Sequence, residues 1–447
     1  MPSNKQTLKQ FLMLFTTGLT SYFIINIANA YLARTLGRAA YGDFSLMISL
    51  IFSLTPFFAI GITFLITKYL PIYMSNDSNH KKNVFLKWNI KTLQKSLLIL
   101  LFIVIISTVL LLTQFNRDIP CIVRQCQNYR PLYEQLFYII PFALLLIWNT
   151  SLLNATKHPM LSQTLGGTNL TCICALIIFT ADILIDSMFF YHILVAIFMG
   201  VFALWLLQCI SIYFVLLKPK TLSIRDIRNQ DISQHISKFY TRSGISLMFN
   251  NIIYIAIGLI NMLMIEWLSP DEKVLGRYVI VMKISLISGV LPNAISFLIT
   301  PHLSELKQTN RIQSLQRIIN LQVIAGLIWT SICLIMVLVF KDAIFRAYSI
   351  NFENATFSIC LLIIITYVFN IVGMSERICL FNDMNKSLYP ISVLQCASIG
   401  LLAYFLIPQY SYLGAIYALG ISEVLCASIC WILVRTHGIK IKIFGFI

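Results

Sequence analysis

Twelve apolar stretches, each about 20 residues long, follow one another along the 447-residue chain. An α-helix of that length crosses the hydrocarbon core of a bilayer. The stretches take more than half of the chain, so the segments between them are too short for a large soluble domain. We therefore predict an all-α polytopic membrane protein. Secreted proteins, ordinary soluble enzymes and pumps with their own nucleotide-driven motor domain are excluded.

These stretches are the predicted membrane spans. They cover residues 11–33, 44–66, 93–113, 136–154, 162–181, 189–217, 245–265, 278–299, 318–340, 357–375, 388–407 and 412–434.

The basic residues decide how these spans are oriented. The formal net charge is +16, which in a soluble protein would suggest a nucleic-acid partner. With the N-terminus inside, 23 of the 33 Lys and Arg residues lie in cytoplasmic segments, nine lie in outer segments, and Lys283 lies within a span. Cytoplasmic loops of membrane proteins carry such an excess of Lys and Arg. The charge therefore predicts topology rather than a nucleic-acid partner, with both termini in the cytoplasm.

The longest inner segment divides the chain into two halves of six spans. We predict an N-terminal lobe over residues 1–217, a cytoplasmic linker over 218–242 and a C-terminal lobe over 243–447. Within the linker, Ile224, Ile227, Ile232, Ile236 and Phe239 recur at near-helical spacing among charged residues, which predicts an amphipathic helix on the inner surface. Residues 60–70 and 293–303 match at six of eleven positions, which suggests a parallel repeat.

Polar residues form stripes on three of the predicted helices. Two explanations stay open: a shared central cavity between the lobes, or ordinary helix packing through small residues and interhelical hydrogen bonds. The three stripes consist of Gly18, Tyr22, Asn26 and Asn29 on the first helix, Asn250, Tyr254, Gly258 and Asn261 on the seventh, and Thr366, Asn370, Gly373 and Arg377 on the tenth.

Two charged residues lie well inside a span, Lys283 in the eighth and Glu423 in the twelfth. Each costs about 2.5–3.5 kcal/mol on insertion scales, so neither is expected to face lipid unpaired. The two side chains could pair with each other, or each could serve transport. Glu423 is the candidate for coupling to an ion.

The chain carries no sequence pattern of a catalytic or metal site. The histidines are scattered, and most of the 11 cysteines sit singly in apolar runs, where they act as small packing residues. We expect no enzyme activity, metal or cofactor. Cys121 and Cys126 lie in an outer loop, where a disulfide is one of two open possibilities.

Two blocks of sequence resemble a known family. Ala30-Tyr31-Leu32-Ala33-Arg34-Thr35-Leu36-Gly37 with Tyr41-Gly42-Asp43-Phe44 is similar to the opening motif of polysaccharide flippases of the multidrug/oligosaccharidyl-lipid/polysaccharide exporter superfamily. Gly276-Arg277-Tyr278, Lys283, Leu291-Pro292-Asn293-Ala294 and Pro301-His302-Leu303-Ser304-Glu305-Leu306 are similar to the eighth-helix pattern of that family.

The resemblance implies two six-helix lobes around a central cavity. It also implies transport of undecaprenyl-pyrophosphate-linked oligosaccharide from the inner to the outer leaflet of the cell inner membrane, for surface polysaccharide of the O-antigen type. Lys283 and Lys68 take the places of basic residues that meet the substrate phosphates, and Arg34 matches the first-helix motif. Other polysaccharide-assembly membrane proteins are candidate partners, and H⁺, Na⁺ or the membrane potential is the candidate driving force.

Two alternatives belong to other functional classes. A drug or cation antiporter of the same superfamily should carry acidic residues in its cavity, whereas Glu423 is the one clear acid within a predicted span. A polytopic glycan polymerase or ligase usually needs a long outer loop, and the outer loops predicted here are short.

Overall fold

A computed structural model describes residues 4–75, 79–112, 126–156, 158–166, 169–184, 190–218, 222–295, 312–381 and 385–436. Within these ranges every regular element is a helix. The prediction of an all-α fold is confirmed. Cys121 and the segment 301–306 lie outside the described residues.

The helices follow the predicted spans in chain order. Their bounds are α1 Asn4–Ala59, α2 Ile62–Ser75, α3 Asn79–Leu112, α4 Cys126–Ala155, α5 Pro159–Thr164, α6 Leu170–Leu184, α7 Phe190–Ile212, α8 Ile224–Arg228, α9 Gln234–Leu268, α10 Lys273–Ser285, α11 Ile312–Val339, α12 Lys341–Ala347, α13 Ala355–Phe381, α14 Asn385–Tyr410 and α15 Tyr412–Thr436. A π-helix over Tyr213–Leu217 continues α7, and a 3₁₀-helix over Leu286–Gly289 continues α10.

Many of these helices are long and apolar enough to cross a membrane. Among the described residues eight meet the length and composition needed, and four shorter apolar helices accompany them. All twelve predicted spans overlap one of these helices. The chain is therefore a multi-pass membrane protein.

Two backbone breaks shape the first 75 residues. Gly37 interrupts α1 with φ 75° and ψ 169°, a conformation that only glycine adopts readily. Ile60 and Gly61 separate α1 from α2 with φ of 46° and 68°. The second break falls inside the predicted span 44–66, so that span is two helical pieces rather than one. A β-branched residue at positive φ is strained, and the surrounding contacts must hold Ile60 in place.

The described chain divides into two compact units. Unit 1 comprises residues 1–43 and 260–447, and unit 2 comprises residues 44–259. The division passes through α1 and α9, whereas the predicted division lay at the linker. The lobe boundaries at 217 and 243 remain a prediction.

Unit 2 has a core built from α2, α3, α4 and the linker. Phe85, Trp88 and Tyr240 are buried there, and the Tyr73 and Tyr240 hydroxyls are 2.7 Å apart. Burial and the hydrogen bond with Tyr73 raise the pKa of Tyr240, which keeps this hydroxyl protonated. The linker holds a short helix, α8, and α9 begins at Gln234. The apolar residues predicted to share one amphipathic helix are therefore divided between α8, α9 and the chain between them.

Unit 1 has its own core along α11, α13, α14 and α15. Ile319, Cys379, Leu388, Trp431 and Val434 are buried in it. The first segment of α1 packs against the same unit, since the Phe15 ring lies edge-on to Trp329 with centroids 5.2 Å apart. The helix predicted to open the N-terminal lobe thus contacts helices from the second half of the chain.

Candidate substrate-binding site

Lys283 lies in the last turn of α10, inside the candidate membrane span Lys273–Ile295. Its side chain is half-buried. In the part of the chain that the structure describes, the Lys283 ammonium makes no hydrogen bond and no ion pair. The proposed pair with Glu423 is therefore not formed. A cation in the last turn of a helix is favoured by the helix dipole, but that interaction leaves its hydrogen-bond donors free.

The hydroxyl groups around Lys283 are already satisfied by the backbone. Ser285 donates to the Val281 carbonyl oxygen at 2.7 Å, and Ser288 donates to the Ser285 carbonyl oxygen at 2.8 Å. The helix changes from α to 3₁₀ at Leu286, the residue after Ser285. Such a change within a long helix often marks a functional position. Lys283 thus stands at an irregular point of the eighth span with three donors to offer.

Tyr22 connects the first-helix stripe to this point. Its hydroxyl donates to the Ile284 carbonyl oxygen at 2.7 Å. Asn26 Nδ2 donates to the Tyr22 carbonyl oxygen, and Asn26 Oδ1 accepts from the Tyr348 hydroxyl at 2.7 Å. Tyr22 and Asn26 are both half-buried. The stripe is therefore engaged in helix contacts within unit 1, one residue away from Lys283.

Two asparagines of the stripes are fully buried. Asn29 is 1% exposed and accepts from the Tyr41 hydroxyl at 2.9 Å. Asn261 is 0% exposed and lies beside Tyr278. Asn29 Nδ2 and both side-chain polar atoms of Asn261 are buried without a hydrogen-bond partner among the described residues, so packing and cavity both stay open for these two residues. Asn370 is half-buried, and its Nδ2 donates to the Thr366 carbonyl oxygen at 2.7 Å.

The remaining candidates divide into exposed and undescribed side chains. Arg34 is exposed near the Gly37 break, and Lys68 is exposed in α2 with its ammonium 5.6 Å from the centre of the Tyr69 ring. The backbones of Asn250, Tyr254 and Arg377 lie in α9 and α13, and their side chains are outside the described part of the structure. Glu423 is 7% exposed in α15. Of the predicted cations with a described side chain, Lys283 alone is withdrawn from the surface.

A polar cluster near the Gly37 break was not predicted as a site. The Arg38 and Arg277 guanidinium carbons lie 5.6 and 5.9 Å from the centre of the Phe352 ring. Arg38 donates to the Ser349 carbonyl oxygen at 2.9 Å, and Arg277 pairs with Asp271 at 3.1 Å. The sequence feature that could have revealed this cluster is the pair of glycines, Gly42 and Gly276, in the two family-like sequence blocks. A Cβ on Gly42 would lie 2.8 Å from the Gly276 nitrogen.

The chain matches the family model described as polysaccharide biosynthesis protein over residues 7–307. No curated protein matches it in sequence. Several solved transporters share its fold. It is similar to a lipid II flippase, MurJ, in an inward closed conformation, with 16% identity and a TM-score of 0.66 over 97% of this chain and 89% of that one.

Two further structures have the same fold at lower identity. The MATE multidrug transporter DinF-BH shows 13% identity and a TM-score of 0.64, covering 100% of this chain and 98% of that chain. A transporter of the MOP superfamily from Pyrococcus furiosus Vc1 shows 12% identity and a TM-score of 0.64, covering 98% and 97%. At these identities the likeness establishes the fold, which is that of MOP-superfamily transporters.

Proposed function

Because the chain belongs to the polysaccharide biosynthesis protein family, we propose that it carries undecaprenyl-pyrophosphate-linked oligosaccharide repeat units from the inner to the outer leaflet. Transport proceeds by alternating access in the cell inner membrane, with both termini in the cytoplasm. The product serves the assembly of surface polysaccharide of the O-antigen type. Other membrane proteins of that assembly are its expected partners.

The observation that carries this proposal is the unpartnered ammonium of Lys283. A charge at membrane depth is costly and is normally paired. Lys283 has no partner among the described residues, although it is half-buried in a candidate span. A substrate phosphate would supply the missing negative charge and accept its hydrogen bonds. Lysine offers a point charge rather than the bidentate fork of arginine, so it binds phosphate without demanding one orientation.

The same cation supplies a driving force. A membrane potential that is negative inside is worth about 2.3 kcal/mol per charge per 100 mV. It draws the empty, positively charged site toward the cytoplasm, and the bound diphosphate neutralises the site for the outward step. Voltage then acts on the return of the empty carrier. Glu423, buried in α15, is the candidate group if H⁺ or Na⁺ is coupled as well.

The test is the fate of the lipid-linked repeat in cells that lack the protein. We expect complete lipid-linked repeats to accumulate on the inner face while glycosyltransferase activity stays normal. Complete repeats that reach the outer leaflet but stay unpolymerised would show a polymerase instead, and would contradict the proposal.

A drug or cation antiporter is the second candidate, because transporters of that class share the fold. A cationic drug would be repelled by Lys283 and would need an acidic partner. Glu423 is the one acid buried within a candidate span among the described residues. Increased sensitivity to cationic dyes in the deletion strain, with no accumulated glycan lipid, would favour this function.

A further inference from the structure

The linker between the two halves is fixed to unit 2 by its apolar side chains. Leu216, Leu222, Ile227 and Tyr240 are buried in the core of this unit, and Ile232 packs against that core. These residues are spread over the whole segment from the end of α7 to the start of α9. One side of the linker therefore faces the core of unit 2, and its other side chains lie on the surface.

A lysine of α3 holds the middle of the linker. Lys87 Nζ donates to the Arg228 carbonyl oxygen at 2.8 Å and also to the Gln230 carbonyl oxygen. At the other end of α8, the Ser223 hydroxyl accepts from the Asp226 amide at 3.3 Å and caps the helix. These bonds satisfy backbone groups at both ends of α8. They hold α8 in a fixed position against α3.

The outward side of the linker is strongly basic. Over the described residues of 213–242, the two acidic side chains are Asp226 and Asp231. The basic side chains there are all exposed, and they are Lys218, Arg225, Arg228, Lys238 and Arg242. This fixed set of charges, which we call the basic platform, gives the cytoplasmic end of unit 2 a positive surface under the predicted orientation.

Large apolar side chains border the basic platform. Tyr213, Phe214 and Phe239 are 54%, 56% and 50% exposed. The Lys218 ammonium lies 5.5 Å from the centre of the Phe214 ring. On α9, Phe239 is three residues before Arg242, so the two side chains are neighbours on one face. Aromatic residues beside basic ones are typical of the boundary between lipid headgroups and acyl chains.

We propose that the basic platform binds the anionic headgroups of inner-leaflet phospholipids, with Phe214 and Phe239 set into the boundary with the acyl chains. Juxtamembrane clusters of Lys and Arg are attracted to the negative surface of the cytoplasmic leaflet. The exposed aromatic rings favour a lipid over a free phosphate, because a free phosphate offers no apolar surface to cover them. The proposal uses the predicted orientation and does not depend on which substrate is carried.

The test measures lipid binding to the full-length chain purified in detergent. Native mass spectrometry follows the titration with phosphatidylglycerol or with phosphatidylcholine of the same acyl chains. We expect clear preference for phosphatidylglycerol. The triple variant Arg225→Gln, Lys238→Gln, Arg242→Gln should bind it roughly a hundredfold more weakly, because three charges near the surface act together. High salt should reduce binding to the parent protein.

A matched triple variant at the predicted outer end provides the control. Lys273→Gln, Lys341→Gln and Arg346→Gln also remove three exposed positive charges, and this variant should bind phosphatidylglycerol like the parent. Equal binding of the two lipids, or equal loss in both triple variants, would overturn the proposal. Displacement of the lipid by inorganic phosphate at similar concentration would identify free phosphate as the ligand and would overturn it too.

Discussion

Two close backbone contacts between glycines, one in each unit, are built in different ways. In unit 2 a Cβ on Gly61 would lie 2.0 Å from the Gly244 carbonyl oxygen. In unit 1 a Cβ on Gly276 would lie 1.9 Å from the Arg38 carbonyl oxygen, and one on Gly42 would lie 2.8 Å from the Gly276 nitrogen. Neither place has room for a side chain, but their surroundings share little.

The contact in unit 2 is buried and strained. Gly61 and its neighbour Ile60 both have positive φ, and the aromatic rings of Tyr69, Phe85 and Tyr240 are packed together in the same core. The contact in unit 1 is polar and partly solvated. It is flanked by Arg38, Arg277 and Asp271, and the ion pair between the last two is 25% and 44% exposed. Exposed ion pairs add little stability.

In the predicted two-lobe arrangement each contact joins a helix of the first half to a helix of the second. By the predicted topology, the polar contact belongs to the outer ends of its helices and the aromatic contact to the inner ends of its own. The proposed alternating access would require one of them to separate while the other holds. We expect the polar contact to separate at lower cost, because separation would expose the Arg277 and Asp271 side chains, which are already partly in solvent.

The largest effect is expected from Gly61→Ala. The new methyl group would overlap the Gly244 carbonyl oxygen, and φ of 68° disfavours any side chain. Overpacking costs about 1–3 kcal/mol and the left-handed backbone about 1–2 kcal/mol more. We expect a marked loss of folded protein and a lower Tm. The measurement is thermal unfolding in detergent, and a wild-type Tm would show that the close contact is absent.

Cross-linking the outer contact should abolish transport while leaving the fold intact. In a cysteine-free background, Arg38→Cys and Ser349→Cys would be joined by a short bifunctional thiol reagent, since Arg38 already reaches the Ser349 carbonyl oxygen at 2.9 Å. Asp271→Cys with Arg277→Cys is the control at the same end, because that pair bridges no helices of opposite lobes.

Transport lost in the first pair and kept in the control is the expected result. Unchanged transport after complete cross-linking of the first pair would mean that the first helix moves together with residues 260–447 as one body. The grouping of residues 1–43 with unit 1 would then describe the moving parts better than the predicted lobes do.

Gly37→Ala separates backbone strain from steric overlap and should have a smaller effect. Gly37 has φ of 75°, and a Cβ there would meet nothing within 4 Å. The variant should therefore lose only the stability that backbone strain costs, about 1–3 kcal/mol. Gly400 in α14 also has open space around it but a negative φ, and alanine there should be neutral or stabilising by up to about 1 kcal/mol. Equal Tm shifts for the two variants would contradict the conformational argument.

The sequence predicts the helices well because apolar length depends on local composition alone. It does not show the break at Ile60 and Gly61, since the residues on both sides are equally apolar and the positive φ is held by packing against Gly244. The motif glycines Gly42 and Gly276 are visible in the sequence, but their contact becomes apparent only when α1 and α10 are placed together.

The candidate site is predictable to a similar degree. Lys283 stands out in the sequence as a charge in an apolar span, and the structure shows it half-buried in the helix. Whether it pairs with Glu423 depends on how α10 and α15 are arranged, which no spacing in the sequence reveals. The stripes containing Asn29 and Asn261 left packing and cavity open, because a polar face is the same pattern in both cases.

The phosphate-binding role of Lys283 is tested by the rate at which lipid-linked oligosaccharide reaches the outer leaflet in vesicles containing Lys283 variants. With the unpartnered ammonium as the phosphate site, Lys283→Ala should abolish transport without loss of folded protein, and Lys283→Arg should retain part of it. Lys283→Glu should be inactive, because it repels phosphate. If Lys283→Ala carries the substrate at the parent rate, or if Lys283→Glu with Glu423→Lys restores that rate, Lys283 does not bind the anionic head.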